Sequence, residues 1–136
     1  MQLISISASA GISSFESPCA EYGALPLSLD ELLVNHPSST LLARVSGESM
    51  VDFGIFDGDV LIVDRSLTVT NGDVIVGFLN SNFICKCIDT KNRMLLSSDG
   101  YDPLQISEND EFNIEGIVVS SIRAHRSLSL LQPIGE

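Results

Sequence analysis

From Thr40 to Arg126 the sequence alternates between short apolar runs and turn signals. The runs are rich in β-branched and aromatic residues, and Asp-Gly, Asn-Gly-Asp, Asn-Ser-Asn and Lys-Asn lie between them, which favours tight turns. Short strands at this spacing indicate a compact, mostly antiparallel β domain that is closed or strongly curved. The predicted strands lie in the segments TLLARVSG, DVLIVDR, DVIVGFL, FICKCI, RMLLSS and FNIEGIVVSSIRAHR.

The residues before Thr40 have a different composition. The first 28 carry many Ser, Ala, Gly and Pro residues with little periodicity, which predicts an extended, flexible arm rather than part of a core. The segment SLDELLVNHP then predicts one short helix, with Ser28 as its N-cap and Pro37 at its end. We therefore divide the chain into an N-terminal arm, a β-rich domain and a C-terminal tail, at residues 1–28, 29–126 and 127–136.

Length and charge limit the classes of function. A chain of 136 residues is large enough for one domain with a hydrophobic core but small for two. Seven Lys and Arg residues against 18 Asp and Glu residues give a net charge of -11. Because such a surface repels phosphate backbones, we expect no direct binding to nucleic acid and a protein partner instead.

Cysteine usage and hydropathy predict a cytoplasmic protein. Cys19, Cys85 and Cys87 are an odd number of cysteines, and the C-x-C pair lacks the further ligands of a zinc site. We therefore expect reduced cysteines, no metal and no cofactor. No segment approaches the roughly 18 consecutive apolar residues of a membrane helix, and the N-terminus lacks the basic region of a signal peptide.

One serine and one lysine are the candidates for chemistry. A serine hydroxyl becomes a nucleophile when a neighbouring base takes its proton, and that base is usually histidine. His36 and His125 stand in no recognisable triad pattern with Ser49, but a lysine can replace histidine where burial favours its neutral amine. Lys91 lies in the polar turn DTKNR, whereas Lys86 lies within the apolar run FICKCI.

The position of Lys86 also has a simpler interpretation. Lysine is common on exposed edge strands, where its charge opposes aggregation, and buried lysines are rare. The strand alone therefore favours an edge position for Lys86, and only its combination with the Ser49 segment changes that preference.

Taken together, the two segments resemble the LexA and UmuD family of self-cleaving serine peptidases, and UmuD-type SOS mutagenesis proteins above all. The similarity runs from about residue 17 to residue 126. It is carried, in the order and spacing of the family, by SPCAEY, LDELLVNHPSST, SGESM, FDGDVLIVDRSLTVTNGDVIV, NFICKCI and FNIEGIVVSSIRAHR. The resemblance implies that family's compact, curved β domain, with one short helix and an extended N-terminal arm.

The resemblance also assigns the site. It makes Ser49 the nucleophile and Lys86 the general base, with Gly47 permitting the turn and the Ser49 backbone N–H contributing to an oxyanion hole. The substrate would be the chain's own arm, cut between a small residue and glycine. The Ala10–Gly11 bond fits, because alanine suits a shallow pocket and glycine lets the backbone approach closely. The alternative is an ordinary flexible arm.

Further expectations follow from the resemblance alone. It implies cleavage stimulated by RecA filaments on single-stranded DNA, in cis or in the site of a second subunit. The processed homodimer would then join a UmuC-type Y-family polymerase in translesion synthesis. A repressor is not expected, because no helix-turn-helix segment precedes the arm.

Two alternatives stay open. One is a catalytically inactive β-domain adaptor that binds a polymerase or RecA. The other is a signal-peptidase-like enzyme, which shares the serine-lysine chemistry but needs a membrane anchor.

Overall fold

The computed structural model describes residues 2–4, 24–26 and 28–127, which divide into two units at the boundary between residues 35 and 36. In the first unit, strands β1 (Gln2–Ile4) and β2 (Ala24–Pro26) pair antiparallel. Helix α1 (Leu29–Leu33) follows. The predicted helix is confirmed, and no helix among the described residues is long and apolar enough to cross a membrane.

The two ends of α1 show how its sequence limits it. The hydroxyl of Ser28 accepts a hydrogen bond from the Glu31 N–H at 3.0 Å, as an N-cap does. The helix ends at Leu33, and Val34 is already extended. Pro37, predicted to end the helix, instead begins a short 3-10 turn three residues beyond Val34. The helix is therefore shorter than predicted. Pro37 also disfavours helical backbone at the residue before it.

The second unit is built on a seven-stranded sheet whose strands all pair antiparallel. The predicted mostly β, antiparallel fold is confirmed. The spatial order of the strands is β3-β4-β9-β5-β6-β7-β8. Their bounds are β3 Thr40–Arg44, β4 Val60–Asp64, β5 Val74–Leu79, β6 Asn82–Asp89, β7 Met94–Leu96, β8 Leu104–Gln105 and β9 Phe112–Ile122.

Local sequence explains most of these strands. The predicted Asn-Ser-Asn turn joins β5 to β6, where Asn80 and Ser81 both have positive φ, 50° and 73°. That is the backbone of a two-residue hairpin whose twist matches its strands. All six predicted strand segments overlap a strand of the sheet. The sequence does not predict β8, with two residues, or β1 and β2, with three residues each in the segment predicted as a flexible arm, because strands this short show little alternation.

Both faces of the sheet are covered. Neighbouring residues on a strand point to opposite faces, and Ile75 and Val76 on β5 are both fully buried in different clusters. Every residue of β4 is buried, which explains why VLIVD reads as a continuous apolar run rather than an alternating one. The first cluster contains Met50, Ile55, Leu61, Val63, Val76 and Cys87, and the second contains Ile75, Ile88, Leu95 and Ile117.

Candidate active site

Ser49 lies in a turn between β3 and a 3-10 helix at Val51–Phe53. Its neighbour Met50 is buried in the first hydrophobic cluster and anchors the turn to the core. Gly47, two residues before Ser49, has a φ of 98°, a backbone conformation that glycine adopts without steric cost. The chain therefore turns just before Ser49, whose side chain stays partly exposed.

The Asp-Gly-Asp sequence ahead of β4 holds this turn from one side. The Val45 N–H donates to the Asp59 carbonyl oxygen at 2.8 Å, and the Gly58 N–H donates to the Val45 carbonyl oxygen at 2.9 Å. The Gly47 N–H donates to the Asp57 carboxylate at 2.7 Å. The motif that follows the serine in sequence thus fixes the backbone that leads to the serine.

Lys86 lies on β6, between β5 and β7, so the edge-strand interpretation is wrong. On one side it stands opposite Ile75 of β5. On the other side, pairing with β7 stops one residue short of it, at Cys87 and Leu96. The lysine is therefore partly buried inside the sheet, at the point where pairing with β7 has ended.

One pocket brings the two candidates together. Ser49 and Lys86 both line a cavity of about 270 Å³, with Gly47 and Met50 beside the serine. Its other walls are mostly apolar, and they include Ala43, Val45, Leu61, Val76, Phe83 and Ile84. An apolar wall lowers the local dielectric and disfavours an isolated ammonium, which is the setting in which a lysine can work as a base.

The segment Ser97–Asp99 contacts both sides of the pocket. Lys86 Nζ donates a hydrogen bond to Ser97 Oγ at 2.5 Å, and the Ser98 N–H donates to the Ser49 carbonyl oxygen at 2.7 Å. Sequence reasoning missed both serines. The signal that could have found Ser97 is the β6–β7 hairpin, because counting outward from its turn at residues 90–93 places Ser97 opposite Lys86.

Cys85 also lines the pocket, next to Lys86. Burial raises the pKa of its thiol to about 11, although the charge of Lys86 acts in the opposite direction. Burial, followed by the nearby Asp73 and Asp89 carboxylates, also raises the pKa of the Cys87 thiol. Both cysteines are free, and at neutral pH neither carries the thiolate that a cysteine nucleophile needs.

Several predicted features lie outside the described residues. These include the Ala10–Gly11 bond, Cys19, most of the arm and the tail beyond Ser127. Within residues 2–4, 24–26 and 28–127, no group of three or more His, Cys, Asp or Glu side chains is arranged to hold a metal ion.

Comparison with known proteins decides the family. The Peptidase S24-like family matches residues 2–119, which is most of the chain. The chain belongs to this family. The Peptidase S24-like proteins are the serine peptidase family of LexA and UmuD, so the family predicted from the Ser49 and Lys86 segments is confirmed.

Individual relatives agree with this assignment. The S24-like chain is 40% identical to Protein MucA of Salmonella typhimurium over 114 residues, which cover 82% of this chain and 78% of MucA. It is 30% identical to Protein SamA of the same species over 115 residues, covering 83% of this chain and 80% of SamA. It is 38% identical to the LexA repressor of Colwellia psychrerythraea over 95 residues, covering 67% of this chain but 45% of the repressor.

Proposed function

We propose that this S24-like protein is a self-cleaving serine peptidase, with Ser49 as its nucleophile and Lys86 as its general base. The observation that carries the proposal is that both side chains line one pocket, with Lys86 partly buried in an apolar strand of a chain that holds only one other lysine. Membership of a serine peptidase family supports the same assignment.

The proposed reaction is acyl transfer to serine followed by hydrolysis. The neutral amine of Lys86 takes the hydroxyl proton of Ser49 as Ser49 Oγ attacks the carbonyl carbon of Ala10. The peptide bond then breaks, and Lys86 returns the proton to the departing amine of Gly11. Water, deprotonated by the same amine, attacks the ester, releases the Ala10 carboxylate and restores the Ser49 hydroxyl.

Backbone donors would stabilise the oxyanion that forms on the Ala10 carbonyl. The Ser49 N–H makes no hydrogen bond to another residue in the described part of the chain, which leaves it available to such an oxyanion. A positioned N–H donor of this kind is worth about 100-fold or more in rate in other serine peptidases. The Gly47 turn sets the direction of this N–H by turning the backbone just before it.

The direct test is incubation of the purified full-length chain between neutral and alkaline pH, followed by intact-mass analysis. We expect a new N-terminus at Gly11, at a rate that rises with pH because only a neutral amine accepts a proton. Ser49→Ala and Lys86→Ala should abolish the product, while Lys91→Ala, which removes the other lysine, should leave it unchanged. Cleavage that persists in Ser49→Ala, or a rate independent of pH, would contradict the dyad.

The same experiment separates this function from a non-catalytic adaptor. An adaptor would stay intact at every pH and would bind its partner equally well as Ser49→Ala. Mixing Ser49→Ala chains that carry a distinct mass tag with wild-type chains shows whether one subunit cuts another. Tagged chains that lose residues 1–10 would establish cleavage in trans, and intact tagged chains beside cleaved wild type would establish cleavage in cis.

We further propose that the protein acts in the SOS response as a homodimer. Cleavage would be stimulated by RecA filaments, and the processed form would be an accessory subunit of a UmuC-type Y-family polymerase. The MucA and LexA relatives support an SOS role in general, and the net charge of -11 supports protein partners over DNA. We expect RecA assembled on single-stranded DNA with a nucleotide cofactor to accelerate cleavage at neutral pH, and RecA without DNA to have no effect.

A further inference from the structure

The β6–β7 hairpin brings Ser97 to Lys86 by continuing its register. The paired residues are Asp89 with Met94, Ile88 with Leu95 and Cys87 with Leu96. One step further along both chains stand Lys86 and Ser97, and opposite residues in antiparallel chains have their side chains on the same face. The hydrogen bond from Lys86 Nζ to Ser97 Oγ, at 2.5 Å, follows from this register.

The next two residues, Ser98 and Asp99, contact the loop on the Ser49 side of the pocket. The N–H of Ser98, which is buried, donates to the Ser49 carbonyl oxygen at 2.7 Å. Ser98 Oγ accepts from the Asp52 N–H at 2.8 Å, and the Asp99 N–H donates to the Asp52 carboxylate at 2.8 Å. Three bonds therefore join Ser98 and Asp99 to the loop that begins at Ser49.

We propose that the segment Ser97–Asp99 positions the serine and the lysine relative to each other, with Ser97 as the positioning residue for Lys86 and Ser98 for Ser49. Because Ser97 and Ser98 are joined by one peptide unit, the two anchors lie a fixed short distance apart along the chain. The consequence for cleavage rests on the proposed function, but the hydrogen bond to Lys86 does not.

The direction of the Ser97 bond suits a general base. A lysine side chain has a flexible four-carbon stem, so its amine stays in one place only if a partner holds it. Ser97 Oγ can accept an N–H of Lys86 at this distance. In that arrangement the lone pair of the neutral amine is left to accept the proton of Ser49. A hydroxyl can also accept from the charged ammonium, so the same contact holds Lys86 before and after proton transfer.

The NMR signal of Lys86 tests the contact without any cleavage. The chain contains two lysines, Lys86 and Lys91, so protein labelled with ¹³C-lysine gives two Cε signals, with Lys91 as an internal reference. A Ser49→Ala background keeps the chain intact at alkaline pH. Because the hydrogen bond holds the flexible lysine side chain in one place, Ser97→Ala should move the Lys86 Cε signal towards that of Lys91, whose side chain is exposed. Ser97→Thr should restore it, and the Lys91 signal should not move.

Cleavage kinetics test the consequence. In the wild-type background, we expect Ser97→Ala to lower the maximal rate about 10- to 100-fold, because small misplacements of reacting groups cost this much, and to change the pH profile of the rate. Ser97→Thr should restore both, and Ser127→Ala, which changes an exposed serine outside the pocket, should change neither.

The two experiments fail in different ways. An unchanged Lys86 signal in Ser97→Ala overturns the positioning of Lys86, whether or not the protein cleaves itself. An unchanged rate and pH profile in Ser97→Ala, with a wild type that cleaves, overturns its role in the reaction. A wild type that never yields the Gly11 terminus overturns self-cleavage, while the Lys86 signal still decides the contact between Ser97 and Lys86.

Discussion

The carboxylate of Asp59 accepts hydrogen bonds from both Nε and Nη2 of Arg123, at 3.0 and 3.1 Å. The guanidinium also lies 4.0 Å from the centre of the Phe56 ring. The Arg123 bond is the main reason why the pKa of Asp59 lies below its usual range, although burial opposes the shift. This contact ties the end of β9 to the loop that holds the Ser49 turn.

The first prediction concerns Asp59, which is 1% exposed. Asp59→Ala removes the acceptor for Arg123 and for the Phe56 N–H, so the free energy of unfolding should fall by roughly 2–3 kcal/mol, as for other charge-assisted bonds. Urea unfolding in a Ser49→Ala background measures it. Asp102→Ala, at an exposed aspartate, is the matched control, and an equal loss in both variants would contradict a structural role for the pair.

The second prediction concerns acid stability and Asp64. The Ser66 hydroxyl, and after it His36 at 2.6 Å, lower the pKa of the Asp64 carboxyl to about 2. Because the folded pKa lies below the unfolded value of about 3.9, the carboxylate stabilises the fold above about pH 4. That contribution is lost as the pH falls from about 4 to about 2.

Urea unfolding at a series of pH values between 2 and 6 checks this effect. In Asp64→Asn the free energy of unfolding should depend less steeply on pH over the acid range than in the unchanged chain. Ser66→Ala should produce the same change in part, because it removes the first cause of the shift. If the free energy of unfolding depends on pH in the same way in Asp64→Asn and in the unchanged chain down to pH 2, Asp64 is not responsible for acid unfolding.

The third prediction separates strain from position at Gly47. Gly47 and Gly72 have similar φ values, 98° and 90°, and a Cβ at either position meets no atom within 4 Å. Gly47→Ala and Gly72→Ala should therefore each lower the free energy of unfolding by about 1–2 kcal/mol through backbone strain alone. Only Gly47→Ala should also slow cleavage, by about tenfold or more, because it disturbs the turn that holds Ser49. Equal cleavage rates in Gly47→Ala and Gly72→Ala would show that Gly47 has no specific role in the site.

The fourth prediction concerns the thiol beside the pocket. Since burial raises the pKa of Cys85 to about 11, its thiolate is scarce at neutral pH and alkylation should be slow. Treatment with iodoacetamide, followed by peptide mass analysis, should show modification of Cys85 increasing steeply between pH 8 and pH 11. The urea-unfolded chain serves as the reference, and alkylation of folded Cys85 as fast as in that reference at pH 7.5 would exclude a shielded thiol.

Local sequence accounts for a large part of this molecule. The N-cap at Ser28, the turn at Asn80 and Ser81 and the apolar run of β4 each depend on residues close together in the chain, so their structures follow from propensity and period. The sequence also predicts the candidate pair Ser49 and Lys86. That prediction comes from a spacing of motifs that resembles a family, since neither residue alone identifies a site.

Strand pairing and tertiary contacts account for the rest. β6 lies inside the sheet because β5 and β7, its neighbours in sequence, pair on its two sides, and β9 then pairs with the other side of β5. Local propensity does not specify which strands flank β6, so the strand alone favours an edge position for Lys86. The contact of Ser97 with Lys86 follows from the register of the β6–β7 hairpin. The contact of Ser98 with Ser49 arises only once that hairpin and the Ser49 loop meet in three dimensions, because 49 residues of sequence separate the two serines.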